Sequence, residues 1–220
     1  MESTYHLAKT RWWDLLHHYG QRGYDPRSIG NWDPRFIRKT LPVQKFFADH
    51  YYRATVEGLG HIPEGPYVIA GPHGGGPMNV IADNMVLGTR YYQAKGFARP
   101  LFFIGHHSVF VLGPIGRVMA KYGAVEGNHE TAMKVLRAGQ GFVVFPGGEE
   151  DMARPFWNRN RVDFRGHTGF VEAALEAGAP ILPLGSVGGT KPKWYWPPST
   201  RSPRRSISKT GPGSRPFPFR

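Results

Sequence analysis

The chain has 220 residues, a formal net charge of +12 and no cysteine. This length suits one domain with additional segments, and the missing cysteines exclude disulfides, thiol nucleophiles and Cys-ligated metal sites. Residues 191–220 hold eight basic and no acidic residues, and subtracting these eight from +12 leaves +4 for residues 1–190. The positive charge is therefore concentrated in residues 191–220 and does not indicate a nucleic-acid partner.

Residues 1–52 form an aromatic and basic segment, for which the pattern predicts helices at 6–19 and 34–52 with a Gly- and Pro-rich loop between them. These helices either lie in a membrane interface or pack their aromatic side chains on the core. Residues 1–10 lack the apolar stretch of a secretory signal, and no stretch approaches the roughly 18 apolar residues that span a bilayer. We therefore expect a cytoplasmic protein, peripheral at the membrane surface.

Residues 53–189 alternate between short apolar runs and segments with helical periodicity. This alternation predicts an α/β domain in which helices flank a mostly parallel sheet. A site in such a domain lies outside the carboxyl ends of the strands. The predicted strands lie near 54–58, 67–70, 101–104, 124–126, 142–145 and 181–185, and the predicted helices near 78–87, 109–122, 129–138 and 168–177.

Residues 190–220 form a basic tail rich in Pro and Ser, with too few aliphatic residues to build a core. We expect this tail to be disordered. It is either a basic tail for anionic surfaces or the product of a reading-frame change that truncated a longer domain, and we favour the second explanation.

A histidine follows the predicted strand 67–70, within the sequence Gly71-Pro72-His73-Gly74-Gly75-Gly76-Pro77. Glycines leave the backbone open to a substrate, and histidine is the usual side chain for proton transfer near neutral pH. His73 is therefore a candidate general base, and the alternative is a turn with an incidental histidine.

Three further motifs follow in order along the chain. They are Gly113-Pro114-Ile115-Gly116-Arg117, Phe145-Pro146-Gly147-Gly148 and Pro180-Ile181-Leu182-Pro183. Together with the His73 motif, this order resembles the glycerolphosphate and lysophospholipid acyltransferase family over residues 41–189. The Phe-Pro-Gly-Gly form is similar to that of a branch related to diacylglycerol acyltransferases.

This resemblance implies transfer of a fatty acyl group from acyl-CoA or acyl carrier protein to a hydroxyl of a glycerolipid or similar lipid acceptor, without a cofactor or a metal. His73 would be the base that takes the hydroxyl proton. Arg117, in the motif that begins at Gly113, would bind the acceptor's phosphate or another anion. Gly147, Gly148 and Arg154 would belong to the substrate-binding site.

The chain departs from the family's motifs at two positions. Related proteins have an Asp four or more residues beyond the histidine, whereas here Met78 and Asn79 come first and the first carboxylate is Asp83. Either Asp83 or Asn79 would orient His73, and we choose Asp83. Gly147 stands where the common form of the motif has Glu, which puts a glycerol phosphate acceptor in doubt.

Two rival functions differ in their requirements. The sequence His-Gly-Gly-Gly also occurs in the oxyanion loops of α/β-hydrolase esterases, but no serine here has the flanking glycines of a nucleophile elbow. The other rival is a membrane-surface lipid-binding protein of the same fold with impaired catalysis. A carboxylate within reach of the His73 ring would favour the acyltransferase over this lipid-binding protein.

Overall fold

The computed structural model describes residues 24–73, 77–111, 113–148, 151, 161–164 and 166–187, with the backbone alone for residues 77–80. These residues form a five-stranded, all-parallel sheet flanked by helices, as predicted. The strand order β3-β2-β4-β1-β5 differs from the chain order, so crossovers bring distant segments side by side.

The strands are short and the helices between them cover both faces. The strands are β1 (Tyr67–Ala70), β2 (Leu101–Gly105), β3 (Ala124–Glu126), β4 (Gly141–Val144) and β5 (Ile181–Pro183). The helices are α1 (Pro34–Phe46), α2 (Pro77–Lys95), α3 (Ser108–Val111), α4 (Gly113–Lys121), α5 (His129–Arg137) and α6 (Gly169–Glu176).

Alternate strand residues point to opposite faces and form two separate cores. On one face, Tyr67 and Ile69 of β1 pack with Ile37, Leu87 and Tyr91 of α1 and α2. On the other face, Val68 of β1 packs with residues of α5 and α6, among them Val135, Leu136, Ala173 and Ala174. The sheet is therefore buried on both sides, which is the rule for parallel sheets.

Residues 24–52 pack against this domain. Asp33 caps α1 by accepting hydrogen bonds from the N–H groups of Arg35 and Phe36, each at 3.0 Å. Ile37 is buried in the core, and the indole N–H of Trp32 donates to Tyr92 Oη at 3.0 Å. The predicted segment 6–19 lies outside the described residues, as does the tail from residue 188 onward.

The predicted strand at 54–58 is wrong. Ala54 instead donates its N–H to the carbonyl of Ala48 at 2.9 Å, and its own carbonyl accepts from the Arg90 guanidinium at 2.9 Å. These contacts take the backbone groups that a neighbouring strand would need. The residues then continue without regular structure to a short 3₁₀ turn at Leu59–His61.

The helix predicted near 109–122 is divided into α3 and α4. Pro114 has no N–H to donate to the carbonyl of Phe110, four residues earlier, so a continuous helix would leave that carbonyl without its partner. The hydroxyl of Tyr24 donates to this carbonyl instead, at 3.4 Å. The helix predicted near 78–87 is longer than expected and continues to Lys95.

Candidate active site

His73 lies just beyond the carboxyl end of β1, where an α/β sheet carries its sites. Its main-chain N–H donates to Oδ2 of Asp151 at 2.7 Å. Its ring stacks on Phe145, which follows the neighbouring strand β4, with the ring centroids 4.8 Å apart and the planes 18° apart. Both the backbone and the ring of His73 are therefore held by the segment after β4.

The Phe-Pro-Gly-Gly motif forms the turn after β4. Asp151 donates its N–H to the carbonyl of Gly147 at 3.2 Å, and its side chain turns back over this glycine. A Cβ at residue 147 would overlap the Cβ of Asp151 and lie 2.7 Å from its Cγ. Gly148 has a φ of +60°, a conformation that favours glycine. Both glycines are therefore required by the shape of the turn.

His167 contacts the same turn from another segment. Its Nδ1 lies 2.6 Å from the carbonyl oxygen of Pro146. A carbonyl only accepts hydrogen bonds, so Nδ1 is the donor in this contact. Sequence reasoning assigned His167 no role, because a histidine in a predicted loop carries no motif.

Asp83 lies at the same edge of the sheet as His73, on the β5 side. It belongs to the second turn of α2, and its Oδ1 accepts a hydrogen bond from the hydroxyl of Ser186 at 3.2 Å. Ser186 follows β5, and β5 pairs directly with β1. The structure therefore puts a carboxylate next to the strand that carries His73, and Ser186 is a partner of this carboxylate that sequence reasoning missed.

Arg117 lies on the β2 side of the sheet edge that carries His73, opposite to Asp83. It is an exposed residue of α4, which begins at the buried Gly113 after β2. Since β4 separates β1 from β2, and neighbouring strands are about 4.8 Å apart, the strands that lead to His73 and to Arg117 are roughly 10 Å apart. The guanidinium carbon of Arg117 lies 5.7 Å from the centre of the Tyr24 ring.

Tyr24 docks closely against α4. A Cβ at Gly116 would overlap the hydroxyl of Tyr24 and lie 2.9 Å from Cα of Phe110. Burial raises the pKa of Tyr24, the positive charge of Arg117 lowers it, and the nearby Glu126 raises it. Tyr24 therefore lies beside Arg117 at this edge of the sheet. The sequence predicted only a loop between the helices at 6–19 and 34–52, where Tyr24 is found.

Glu126 is a buried carboxylate at the carboxyl end of β3 that sequence reasoning also missed. Its Oε1 lies 3.4 Å from the guanidinium of Arg27 and 3.5 Å from Nδ1 of His107. Its main-chain N–H donates to the carbonyl of Pro26 at 2.9 Å. These contacts fasten residues 24–28 to the β3 edge, which is a structural role.

Several predicted site residues fall outside the described residues. They are Gly74, Gly75, Gly76 and Arg154, together with the side chain of Asn79. The assignment of Asp83 rather than Asn79 as the partner of His73 therefore stays a prediction.

Comparison with known proteins shows the family of this chain. The family model described as Acyltransferase matches residues 53–187, which include all five strands and the described site residues from His73 to His167. No solved structure matches the chain. In the described part of the chain, no helix combines the length and the apolar character that crossing a bilayer requires.

Three mycobacterial relatives are similar to this chain, and each is called an uncharacterized protein. Those of Mycobacterium tuberculosis and Mycobacterium bovis are 30% identical over 158 residues, which is 71% of this chain and 43% of theirs. That of Mycobacterium leprae is 30% identical over 159 residues, 71% of this chain and 42% of its own length. The match thus spans less than half of each relative. From its match over residues 53–187, the chain belongs to the Acyltransferase family.

Proposed function

We propose that the protein is an O-acyltransferase that moves a fatty acyl group from acyl-CoA or acyl carrier protein to a hydroxyl of a glycerolipid or similar lipid, with His73 as general base. The observation that carries the proposal is the position of His73 in a chain of this family. Its backbone N–H and its ring are both fixed at the carboxyl end of the parallel strand β1.

The proposed reaction needs no nucleophile from the protein. His73 takes the proton of the acceptor hydroxyl while that oxygen attacks the thioester carbonyl, so a C–O bond forms and a tetrahedral oxyanion results. The C–S bond then breaks, and the departing thiolate receives the proton from the imidazolium. General base catalysis of this kind contributes about 10²–10⁴-fold to the rate.

Asp83 is the carboxylate that we assign to His73. It would stabilise the imidazolium and hold the ring tautomer, as a carboxylate does in other histidine-dependent acyl transfers. Its support is its place on the β5 side of β1 and its hydrogen bond with Ser186, which orients the carboxylate.

We further propose a neutral acceptor such as diacylglycerol. Gly147 supplies no side chain for contact with an acceptor headgroup, and the space above it is filled by Asp151. A carboxylate in this position disfavours a phosphate close to His73, because two anions repel each other in a poorly hydrated site.

Acceptors of this kind reside in membranes, and α1 offers a surface for docking at one. The aromatic patch, defined as Val43, Phe46, Phe47 and Tyr51, is exposed along α1 and the π-helix Phe47–Tyr51 that follows it, and Phe46 is 58% exposed. Arg35 and Lys39 precede Val43 at four-residue intervals, so they continue the same helix face. Aromatic residues with basic neighbours suit the surface of an anionic membrane.

The test is thiol release from long-chain acyl-CoA with diacylglycerol, lysolipid and glycerol phosphate as acceptors. A thiol reagent gives no background from the chain, which has no cysteine. We expect acceptor-dependent release to fall about 10²–10⁴-fold in His73→Ala, and strongly in Asp83→Asn. Ser186→Ala removes only the hydroxyl on Asp83 and should reduce the rate about tenfold or less.

The same assay tests the membrane surface when diacylglycerol is supplied either in anionic vesicles or in detergent micelles. Replacing Phe46 and Phe47 with Ser should lower the rate on vesicles and leave the rate on micelles unchanged. Leu175→Ser is the matched control, since Leu175 is 77% exposed on α6, a helix of the other face of the sheet. Acceptor-independent release that is equal in wild type and His73→Ala would refute the enzymatic function and favour a lipid-binding protein.

A further inference from the structure

We infer that Asp151 is a positioning residue that fixes the catalytic histidine through its main chain, an inference that rests on the proposed role of His73 as base. The carboxylate takes no part in the bonds that form and break. It accepts the N–H of His73 at 2.7 Å from a position 78 residues further along the chain.

The carboxylate belongs to the interior of the fold. Asp151 is only 4% exposed, which is rare for an aspartate unless its oxygens are paired. Its N–H donates to the carbonyl of Gly147, which holds the side chain against the turn after β4. A hydrogen bond to a carboxylate is shorter and stronger than one between neutral groups, so this contact restrains the backbone at His73 firmly.

Gly147 is the residue that makes room for this contact. A side chain at 147 would occupy the volume of the Asp151 carboxylate, because even a Cβ there would lie 3.0 Å from Oδ2, the atom that binds His73. The third position of the Phe-Pro-Gly-Gly motif therefore keeps space for a carboxylate that arrives from residue 151.

The hydrogen bond and the stacked ring act together. Phe145 restrains the plane of the imidazole, and Asp151 restrains the backbone from which the imidazole projects. Both come from the segment after β4, which pairs with β1 in parallel register. Since a displacement of about 1 Å can lower a rate about 10²-fold, a base at the end of a strand gains from both restraints.

The first measurement is an ¹H–¹⁵N spectrum of the full chain labelled at histidine, in which the signal missing from His73→Ala identifies the His73 amide. In Asp151→Ala we expect this amide proton to move upfield and to exchange with solvent about tenfold faster, because it loses its acceptor. Asp151→Asn keeps an acceptor oxygen and should restore most of the shift. Gly147→Ala should resemble Asp151→Ala, because the new methyl group displaces the carboxylate.

The second measurement is the steady-state rate of acyl transfer. Asp151→Ala should lower kcat about 10–100-fold and leave the KM values for acyl-CoA and acceptor within about twofold, since His73 is displaced and substrate contacts are kept. Asp151→Asn should recover most of the loss. This rescue separates positioning by a hydrogen-bond acceptor from a general loss of stability.

Two matched controls complete the design. Glu126→Ala removes another buried carboxylate, at the β3 edge, and should leave the His73 amide signal in place. Gly65→Ala adds a methyl group where no atom outside residues 64–66 lies within 4 Å of the new Cβ, so it should move neither readout.

The outcomes are separable. An unchanged His73 amide in Asp151→Ala, or a shifted amide with wild-type kcat, would overturn the inference. A wild-type chain without acceptor-dependent activity would overturn the proposed function instead, and the amide signal would still show whether Asp151 holds His73.

Discussion

His73 and Arg117 occupy the same edge of the sheet but are held in different ways. The His73 side, formed by the segments after β1 and β4, relies on a main-chain hydrogen bond to a buried carboxylate and on a stacked, buried ring. The Arg117 side, formed by the segments after β2 and β3, relies on residues 24–28, which are fastened to it through Tyr24 and Arg27. Arg117 itself lies exposed on α4.

This difference matches what each residue would have to do. A general base has to sit within hydrogen-bond reach of the proton that it takes, so restraint of the backbone favours catalysis. An arginine that binds an anion acts over a longer range and presents a fork of donors on a flexible stem, so exposure on a helix is tolerable. The His73 side is therefore expected to be sensitive to packing changes, and the Arg117 side to be more tolerant.

The largest effect is expected for Phe145→Ala. Phe145 is buried in the core and supports the His73 ring, so its truncation should lower the free energy of unfolding by about 3–5 kcal/mol and reduce kcat as well. Urea unfolding followed by far-UV circular dichroism gives the first value. Phe145→Leu fills most of the space, and a similar loss of kcat in this variant at nearly unchanged stability would identify the stacking contact as the cause.

A smaller effect is expected for Gly116→Ala on the Arg117 side. The added methyl group meets Tyr24 and the backbone of Phe110, so residues 24–28 have to shift, at a cost of about 1–3 kcal/mol in the free energy of unfolding. Thermal unfolding measures the change. Tyr24→Phe in the same background removes the overlapping hydroxyl and should recover part of the loss, whereas no recovery would mean that the clash with Phe110 dominates.

The smallest effect is expected for Arg117→Ala. If Arg117 binds an anionic headgroup, KM for a phosphate-bearing acceptor should rise about tenfold, about 1.4 kcal/mol, with kcat within about twofold. KM for diacylglycerol should stay unchanged, because this acceptor carries no anion. Arg117→Lys keeps the charge, so its KM for the phosphate-bearing acceptor should lie between those of the wild type and Arg117→Ala. An equal rise in KM for both acceptors in Arg117→Ala would contradict anion binding.

The local pattern of the sequence located most of the regular structure. The apolar runs 67–70 and 124–126 are strands with the predicted bounds, and the glycines 139 and 178 follow shortly after the ends of α5 and α6. The prediction of a strand at 54–58 was wrong because apolar periodicity shows only which side chains can be buried. A strand also needs a neighbouring strand that pairs with its backbone N–H and C=O groups. Ala48 and Arg90 supply the partners of Ala54 instead.

His73 was selected because a histidine at the end of a predicted strand suits proton transfer, and Gly147 and Gly148 were selected from the resemblance to the acyltransferase family. The structure places these residues after the ends of β1 and β4, and their roles in the site stay predictions. Asp151, Ser186 and Tyr24 carry no motif, so sequence reasoning had no basis for selecting them. Their roles depend on contacts with partners that are far away in the chain, at separations of 78, 103 and 86 residues respectively.

Residue order along the chain accounts for the alternation of strands and helices, for the parallel sheet and for the histidine at the end of β1, because hydrophobic period and turn residues act over a few residues. The order of the strands does not follow from it. Because β4 lies between β1 and β2, the turn after β4 contacts His73, and Gly147 leaves the space in which Asp151 reaches it. This contact joins residues that are far apart in the chain, so only packing of the whole sheet determines it.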